Sequence, residues 1–185
     1  MQQVKQVLFI QGGGEDGYEA DRSLVKSLQQ ALGEYFIISY PPMPDDNDQP
    51  DFGWPGKIGE EINKFHNELI IVAHSLGASL LLKYLSENKD PKTVTGIFLL
   101  ATPFWQGKEQ WKQELMLRED FAEKLPKDMI IYLYHCRDDE EVPFDHLALY
   151  RAKLPSAKIC EIQTGGHQFE NNLDQVASDI KNWAK

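Results

Sequence analysis

The strongest candidate for a catalytic residue in the sequence is Ser75, which lies where an apolar run gives way to a helical pattern. Leu69–Ala73 predicts a buried strand, and apolar residues resume at helical spacing from Leu76. The small residues Ala73 and Gly77 allow a tight turn between the two elements. A serine on such a turn exposes its hydroxyl and faces the amides of the helix N-terminus, as a nucleophile requires. The alternative is that Ser75 and His74 only cap the helix.

A serine hydroxyl becomes a good nucleophile when a neighbouring base removes its proton, and the base predicted here is His167. It follows the last predicted strand, and Gly165 and Gly166 free the loop to bring its imidazole over Ser75. The other four histidines lie in or beside regular elements or next to the serine: His66, His74, His135 and His146. A histidine in a surface loop is the competing interpretation.

A carboxylate must orient such a histidine and stabilise its charged form. The segment Asp138–Glu141 offers four carboxylates directly after the fifth predicted strand, Ile130–His135. Most of these side chains are expected to form an ordinary solvated acidic loop.

Hydrogen-bond donors are also required where negative charge develops on the substrate. The amide of Leu76 is one candidate, and Gly13 in the glycine run after the first strand is the other. The glycine run is not expected to bind phosphate in the manner of known nucleotide loops. It lacks the Lys-Ser/Thr of a Walker motif and the spacing of a dinucleotide fingerprint.

Apolar runs that alternate with amphipathic segments predict a parallel sheet with helices on both faces, in a single domain spanning residues 1–185. The predicted strands are Val7–Gln11, Tyr35–Tyr40, Leu69–Ala73, Thr95–Ala101, Ile130–His135 and Lys158–Gln163. The predicted helices are Tyr18–Leu32, Ile58–His66, Leu76–Asn88, Lys108–Phe121, His146–Lys153 and Leu173–Trp183. Ligands bind such sheets at the carboxyl ends of the strands, where the candidate residues above are found.

Aromatic residues in the connections over that edge are candidates for a substrate pocket. Those that follow strands or lie in long connections are Tyr40, Trp54, Phe104, Trp105 and Trp111. We expect Trp54, Phe104 and Trp105 to line a pocket for an apolar acyl or aryl group, with ordinary core packing as the alternative. Residues 104–128 are expected to form a short helical lid.

The net charge of -10 and pI of about 4.9 predict that the protein repels nucleic acid and anionic membranes. No apolar run approaches the ~20 residues of a membrane span, and the N-terminus lacks the features of a signal peptide. A cytoplasmic location is therefore expected. With two cysteines and no C-x-x-C motif, neither a disulfide framework nor a metal or other cofactor is expected.

Together these motifs resemble the small α/β hydrolases of the retinoblastoma-binding protein 9 and YdeN type, over nearly the whole chain. The motifs are G-G-G at 12–14, A-H-S-L-G at 73–77 (one residue from G-x-S-x-G), D-D-x-x-V-P at 138–143 and G-G-H-x-F at 165–169. The resemblance implies a three-layer α/β-hydrolase sandwich with six parallel strands in the order 2-1-3-4-5-6 and no large cap domain.

The resemblance also implies a Ser-His-Asp triad made of Ser75, His167 and Asp139, with Asp138 as the alternative acid. The L-x-C-x-E motif credited with binding the retinoblastoma protein has no counterpart here near residues 65–69, so nothing supports that partner.

The function predicted from these observations is a serine hydrolase that cleaves small carboxylic esters, amides or thioesters through an acyl-enzyme. Its expected partner is a small-molecule acyl substrate, and the motifs carry no information on oligomeric state. A binding or regulatory protein with little turnover on the same fold is the alternative. A cofactor-free haloperoxidase or perhydrolase would share the triad.

Overall fold

A six-stranded parallel sheet with the order β2-β1-β3-β4-β5-β6 forms the centre of the computed structural model, which describes residues 4–14, 16–88, 91 and 93–184. The strands are β1 (Lys5–Ile10), β2 (Phe36–Ser39), β3 (Leu69–His74), β4 (Val94–Leu100), β5 (Ile130–Cys136) and β6 (Lys158–Ile162). All five strand pairings are parallel. The predicted sheet and strand order are therefore confirmed. Residues 1–3 and 185, at the ends of the predicted domain, lie outside the described residues.

Helices cover both faces of this sheet. They are α1 (Gly17–Ala20), α2 (Arg22–Leu32), α3 (Trp54–Ile62), α4 (Ser75–Glu87), α5 (Gln110–Leu115), α6 (Phe121–Lys124), α7 (His146–Lys153) and α8 (Asp174–Trp183). Strand β1 shows why two cores form: Val7 and Phe9 pack toward α2 and α8, and Leu8 and Ile10 toward α3 and α4. Within the described residues, no helix is long and apolar enough to cross a membrane.

The predicted first helix, Tyr18–Leu32, is divided in two at Asp21. Asp21 is only 1% exposed, although its neighbours in the chain are solvated. It shares a face with Leu24 and Leu28, which anchor α2 in the core. The carboxylate of Asp21 lies beneath the carboxyl ends of β1 and β3, where it contacts Gly12 and His74.

The helix predicted at Ile58–His66 begins four residues earlier, at Trp54. Pro55 occupies its first turn, where a missing amide hydrogen costs nothing. The indole of Trp54 is 4% exposed and donates a hydrogen bond to the Pro44 carbonyl at 2.7 Å. Trp54 therefore fastens the preceding loop to the core.

The connection between β4 and β5 holds two short helices, α5 and α6, in place of the single helix predicted at Lys108–Phe121. Leu115 and Phe121 are both buried in the same core. Six residues apart, they would point about 120° away from each other on a continuous helix, at about 100° per residue. The break after α5 lets both side chains reach one core. No cap domain is present in the described part of the chain.

Candidate active site

Ser75 lies on a strained turn between β3 and α4, with a φ of 51°. Residues other than glycine rarely adopt this left-handed conformation, and its persistence indicates that the surrounding structure holds it. A Cβ on Gly77 would lie 2.2 Å from the Gln11 carbonyl oxygen, so α4 approaches the end of β1 as closely as its backbone permits. This packing directs the Ser75 hydroxyl to the carboxyl edge of the sheet.

His167 brings its imidazole to Ser75 from the loop after β6. Its Nε2 lies 3.0 Å from Ser75 Oγ, which is hydrogen-bond distance. Gly165 and Gly166 precede it with φ values of 150° and 59°, which most other residues would adopt only with strain. The side chain of His167 is 12% exposed, so the imidazole is shielded but reachable.

Asp139, and not its neighbour Asp138, contacts the other side of this imidazole. Both carboxylate oxygens lie 3.0 Å from His167 Nδ1. The amides of Glu141 and Val142 donate to the same carboxylate at 2.9 Å, and His135 Nε2 lies 3.3 Å away. Burial alone would raise the pKa of Asp139, but the hydrogen bonds from His135, His167 and the two amides outweigh it and hold that pKa far below its ordinary value. The carboxylate is therefore ionised.

The two carboxylates beside Asp139 hold the backbone of the His167 loop. Asp138 accepts the amide hydrogens of Gly165 and Gly166 at 3.2 and 3.0 Å, and Glu140 accepts that of His167 at 3.0 Å. These amides lower the pKa of Asp138, the one from Gly166 most strongly. Asp138, Glu140 and Glu141 are all exposed, as expected of a solvated acidic loop, and the backbone partners of Asp138 and Glu140 were not predicted.

The two predicted oxyanion donors lie against each other at the mouth of this site. A Cβ on Gly13 would be 2.9 Å from Leu76 Cδ2, so the glycine backbone rests directly on the Leu76 side chain. As the second residue of α4, Leu76 has no intrahelical acceptor for its amide. Within the described residues, the Gly13 amide has no hydrogen-bond acceptor either. Both amides are available to a ligand.

A cavity of about 590 Å³ opens beside Ser75 and His167. Its apolar wall is formed by Phe52, Leu76, Pro103, Trp105, Trp111 and Leu115. Its polar wall contains Glu140, Glu141 and Gln168, and no described lysine or arginine lines it. The shape and lining suit an apolar group next to the serine.

Of the three aromatic residues predicted to line the pocket, only Trp105 does so. Trp54 is buried in the core under α3, because its indole finds an internal acceptor there. Phe104 packs edge-to-face on Tyr150 and faces a neighbouring cavity of about 350 Å³, which shares Trp105 as a wall. The predictions for Trp54 and Phe104 are therefore corrected.

A second histidine–carboxylate pair, His74 and Asp21, lies beneath Ser75 and was not predicted. Nδ1 of His74 is 3.0 and 2.9 Å from the two oxygens of Asp21, and its Nε2 is 3.0 Å from the carbonyl oxygen of His167. Asp21 also accepts the Gly12 amide at 2.7 Å and the Gln168 side-chain amide at 3.3 Å. The signal for Asp21 was in the sequence: an acid at helical spacing from Leu24 and Leu28 on an otherwise apolar face.

Neither cysteine competes with Ser75 as a nucleophile. Burial, with help from neighbouring carboxylates, raises the pKa of Cys136 to about 12 and that of Cys160 to about 11. Both thiols therefore stay protonated near neutral pH. Among the described residues, no cluster of three or more His, Cys, Asp or Glu side chains is arranged to hold a metal ion.

Comparison with known families matches residues 28–176 of the chain to the family described as serine hydrolase. The match covers β2 to β6 and includes Ser75, Asp139 and His167. No curated protein matches the chain significantly in sequence.

Several solved structures share the fold. Est1E from Butyrivibrio proteoclasticus superposes with a TM-score of 0.75 at 16% identity, covering 100% of this chain and 88% of Est1E; Est1E has also been solved with ferulic acid bound. The ydeN gene product from B. subtilis has a TM-score of 0.75 at 21% identity, covering 98% of this chain and 100% of that one. Arabidopsis thaliana SOBER1 has a TM-score of 0.71 at 18% identity, covering 98% and 99%.

Proposed function

The chain belongs to the serine hydrolase family, and we propose that it cleaves neutral esters of apolar carboxylic acids through an acyl-enzyme on Ser75. The observation that carries this proposal is the hydrogen-bonded series Asp139–His167–Ser75 beside an apolar cavity. Such a series supplies a nucleophile, a base and a group that orients the base.

In the first half of the reaction, His167 Nε2 takes the proton of Ser75 as Oγ attacks the ester carbonyl carbon. The carbonyl π electrons move to oxygen, and the amides of Leu76 and Gly13 stabilise the resulting oxyanion. When the tetrahedral intermediate collapses, His167 returns the proton to the departing alkoxide. The acyl group then remains bonded to Ser75, and the alcohol leaves.

In the second half, a water molecule takes the place of the alcohol. His167 removes a proton from this water, whose oxygen attacks the acyl-enzyme carbonyl, and the proton passes to Ser75 Oγ as the ester bond breaks. Asp139 stays ionised throughout, because its burial is offset by several donors, and it stabilises the imidazolium that forms twice per cycle. The carboxylic acid then leaves the cavity.

The substrate class follows from the lining of the cavity. Trp105, Trp111 and Leu115 favour an aryl or branched alkyl acyl group, and Glu140 and Glu141 disfavour one that carries a carboxylate. Est1E, which shares the fold, has been solved with ferulic acid, an aromatic carboxylic acid, bound to it. Thioesters and amides can follow the same steps, so they belong in the same substrate panel.

The proposal is tested with a fluorophosphonate probe, which bonds to activated serines. We expect wild type to be labelled and Ser75→Ala to be unlabelled. The matched control Ser156→Ala, at an exposed serine in the turn before β6, should be labelled like wild type. Equal labelling of wild type and Ser75→Ala would rule out Ser75 as the nucleophile.

A panel of p-nitrophenyl esters then separates an enzyme from a binding protein on the same fold. Turnover that disappears in both Ser75→Ala and His167→Ala supports the proposal. An absence of turnover across alkyl and aryl esters, thioesters and amides would favour the binding protein.

A further inference from the structure

Both ring nitrogens of His74 face hydrogen-bond acceptors, and this arrangement limits how many protons the ring and its partners can carry. Nε2 lies 3.0 Å from the carbonyl oxygen of His167, which has no proton to give, so Nε2 must carry one. Nδ1 lies 2.9 Å from Asp21. One further proton therefore sits between Nδ1 and this carboxyl group, on one side or the other.

The surroundings of Asp21 place that proton on His74. The amides of Gly12 and Gln168 already donate to the two carboxylate oxygens, which an ionised carboxylate accepts better than a neutral acid. Both partners are 1% exposed, so water does not screen the pair. The result is an imidazolium and a carboxylate in contact, each with its other hydrogen bonds satisfied.

This pair connects three segments that the reaction needs. Gly12 belongs to the loop that supplies the Gly13 amide, His74 precedes the nucleophile, and the His167 carbonyl belongs to the loop that carries the base. The rings of His74 and His167 are in contact, with centroids 4.7 Å apart. One carboxylate thereby connects the oxyanion loop, the serine and the base.

The loop that carries His167 contains backbone strain that such an anchor would offset. Phe169, Glu170 and Asn171 all have φ values near 50°, in the left-handed region. Residues other than glycine adopt this region only with backbone strain. The hydrogen bonds from His74 to His167 and from Gln168 to Asp21 hold the two residues that immediately precede this turn.

We propose that Asp21 and His74 form a buried ion pair whose imidazolium positions the His167 loop for proton transfer, making both of them positioning residues. This role rests on the proposed function, since it concerns the base of that reaction. The charge state of His74 is a separate physical claim that can be measured without any substrate.

The first test is the protonation of His74 in wild type, read near neutral pH from nitrogen-15 NMR spectra of its imidazole and assigned by comparison with His74→Gln. We expect both ring nitrogens to carry slowly exchanging protons. A bare second nitrogen would overturn the ion pair. This measurement gives the same answer whether or not the protein turns over esters.

The second test measures kcat and KM in Asp21→Asn and His74→Gln, normalised by fluorophosphonate titration of active sites. We expect kcat to fall about 10- to 100-fold, because a displacement of the base of about 1 Å has an effect of that size, and KM to stay within about twofold. The double variant should be little worse than the poorer single variant, because the two residues act as a unit. The exposed matched controls Asp48→Asn and His66→Gln should keep the wild-type kcat.

Folded variants with an unchanged kcat, or with a changed KM alone, would overturn the positioning role. If Ser75→Ala is labelled and hydrolyses esters like wild type, the proposed function fails while the NMR result stands. Should one of the two variants fail to fold, the protonation of His74 in wild type decides whether the ion pair exists, and the kcat of the other variant decides the positioning role.

Discussion

Asp139 is shared between two histidines, and this arrangement explains how a fully buried carboxylate stays charged. His167 contacts it from the loop after β6, and His135 contacts it from within β5. Two backbone amides, from Glu141 and Val142, complete its surroundings. A carboxylate with this many donors is stabilised in its ionised form, so its contribution to stability depends on pH.

Replacing Asp139 with asparagine should therefore change the pH dependence of unfolding. Because the pKa of Asp139 is lowered in the folded state, its stabilising effect is fully present above its unfolded pKa of about 4 and is lost as pH falls below that value. We expect Asp139→Asn to lower the free energy of unfolding by about 3–5 kcal/mol near neutral pH. Urea unfolding at several pH values should show this difference shrinking in acid.

The variant Asp48→Asn provides the control. Because Asp48 is exposed, removing its solvated carboxylate should change the free energy of unfolding little at any pH. A difference for Asp139→Asn that stays constant from neutral pH into acid would contradict the assignment of its charge.

At the scale of single residues, Ser75 and His167 could be selected from the sequence because each follows a strand of a parallel sheet, and such residues meet at one edge. The same argument selected only the acidic segment 138–141, and the family resemblance pointed within it to Asp139, with Asp138 as the alternative. The three side chains form a hydrogen-bonded series, and their catalytic roles are part of the proposed function. Asp21 was missed because its partner, His74, is 53 residues away, and helical periodicity alone does not show what an acid on an apolar face contacts. Trp54 was misplaced because an aromatic residue in a long connection can equally anchor that connection to the core.

The elements around Ser75 depend on a close approach between the start of α4 and the end of β1. Gly77 faces the Gln11 carbonyl oxygen and the Ile10 side chain, with no room for a methyl group. The strained φ of Ser75 and the position of the Leu76 amide both depend on this contact. Packing between these two elements therefore sets the geometry of the nucleophile.

Adding one methyl group at Gly77 should disturb the fold and the site together. We expect Gly77→Ala to lower the free energy of unfolding by about 1–3 kcal/mol through overpacking. It should also slow fluorophosphonate labelling, because α4 must shift away from β1. Thermal unfolding and labelling rates measure the two effects.

Gly56 in α3 offers a matched control, because a Cβ there would meet no atom within 4 Å. Gly56→Ala should be neutral or slightly stabilising, by up to about 1 kcal/mol, as expected for a helical glycine with free space. A Gly77→Ala variant as stable and as reactive as Gly56→Ala would show that the close approach does not hold the turn.

At the scale of elements, the strands were predicted well because continuous apolar runs are typical of a sheet buried on both faces. The helices at Tyr18–Leu32 and Lys108–Phe121 were predicted as continuous and are each divided. In the second of these helices a tertiary requirement decides, because Leu115 and Phe121 both pack into one core. Local periodicity does not contain that information.

Over the whole molecule, acidic groups outnumber basic ones by 29 to 19, and the imbalance extends to the mouth of the active-site cavity. Glu140 and Glu141 line that cavity. A substrate therefore approaches through a negative potential, which favours neutral or cationic molecules over anionic ones.

A carboxylate on the substrate should consequently reduce its rate of cleavage. We expect kcat/KM to be about tenfold lower for the p-nitrophenyl monoester of succinic acid than for p-nitrophenyl butyrate at low ionic strength, because one or two nearby charges repel it. Added salt should narrow the gap through screening.

Glu141→Gln should also reduce the difference in kcat/KM between the two esters. Glu34→Gln, at an exposed position before β2, should leave that difference unchanged. Equal kcat/KM for the two esters in wild type would show that the acidic lining does not act on the substrate.

The hydrogen bonds that hold this site join residues 53, 92 and 147 positions apart in the chain. Closing loops of that length costs entropy that only the finished sheet can offset. We therefore expect the serine, its base and the Asp21 anchor to meet late in folding, after both halves of the sheet have paired. Recovered esterase activity would thus report completion of the native topology, later than measures of secondary structure do.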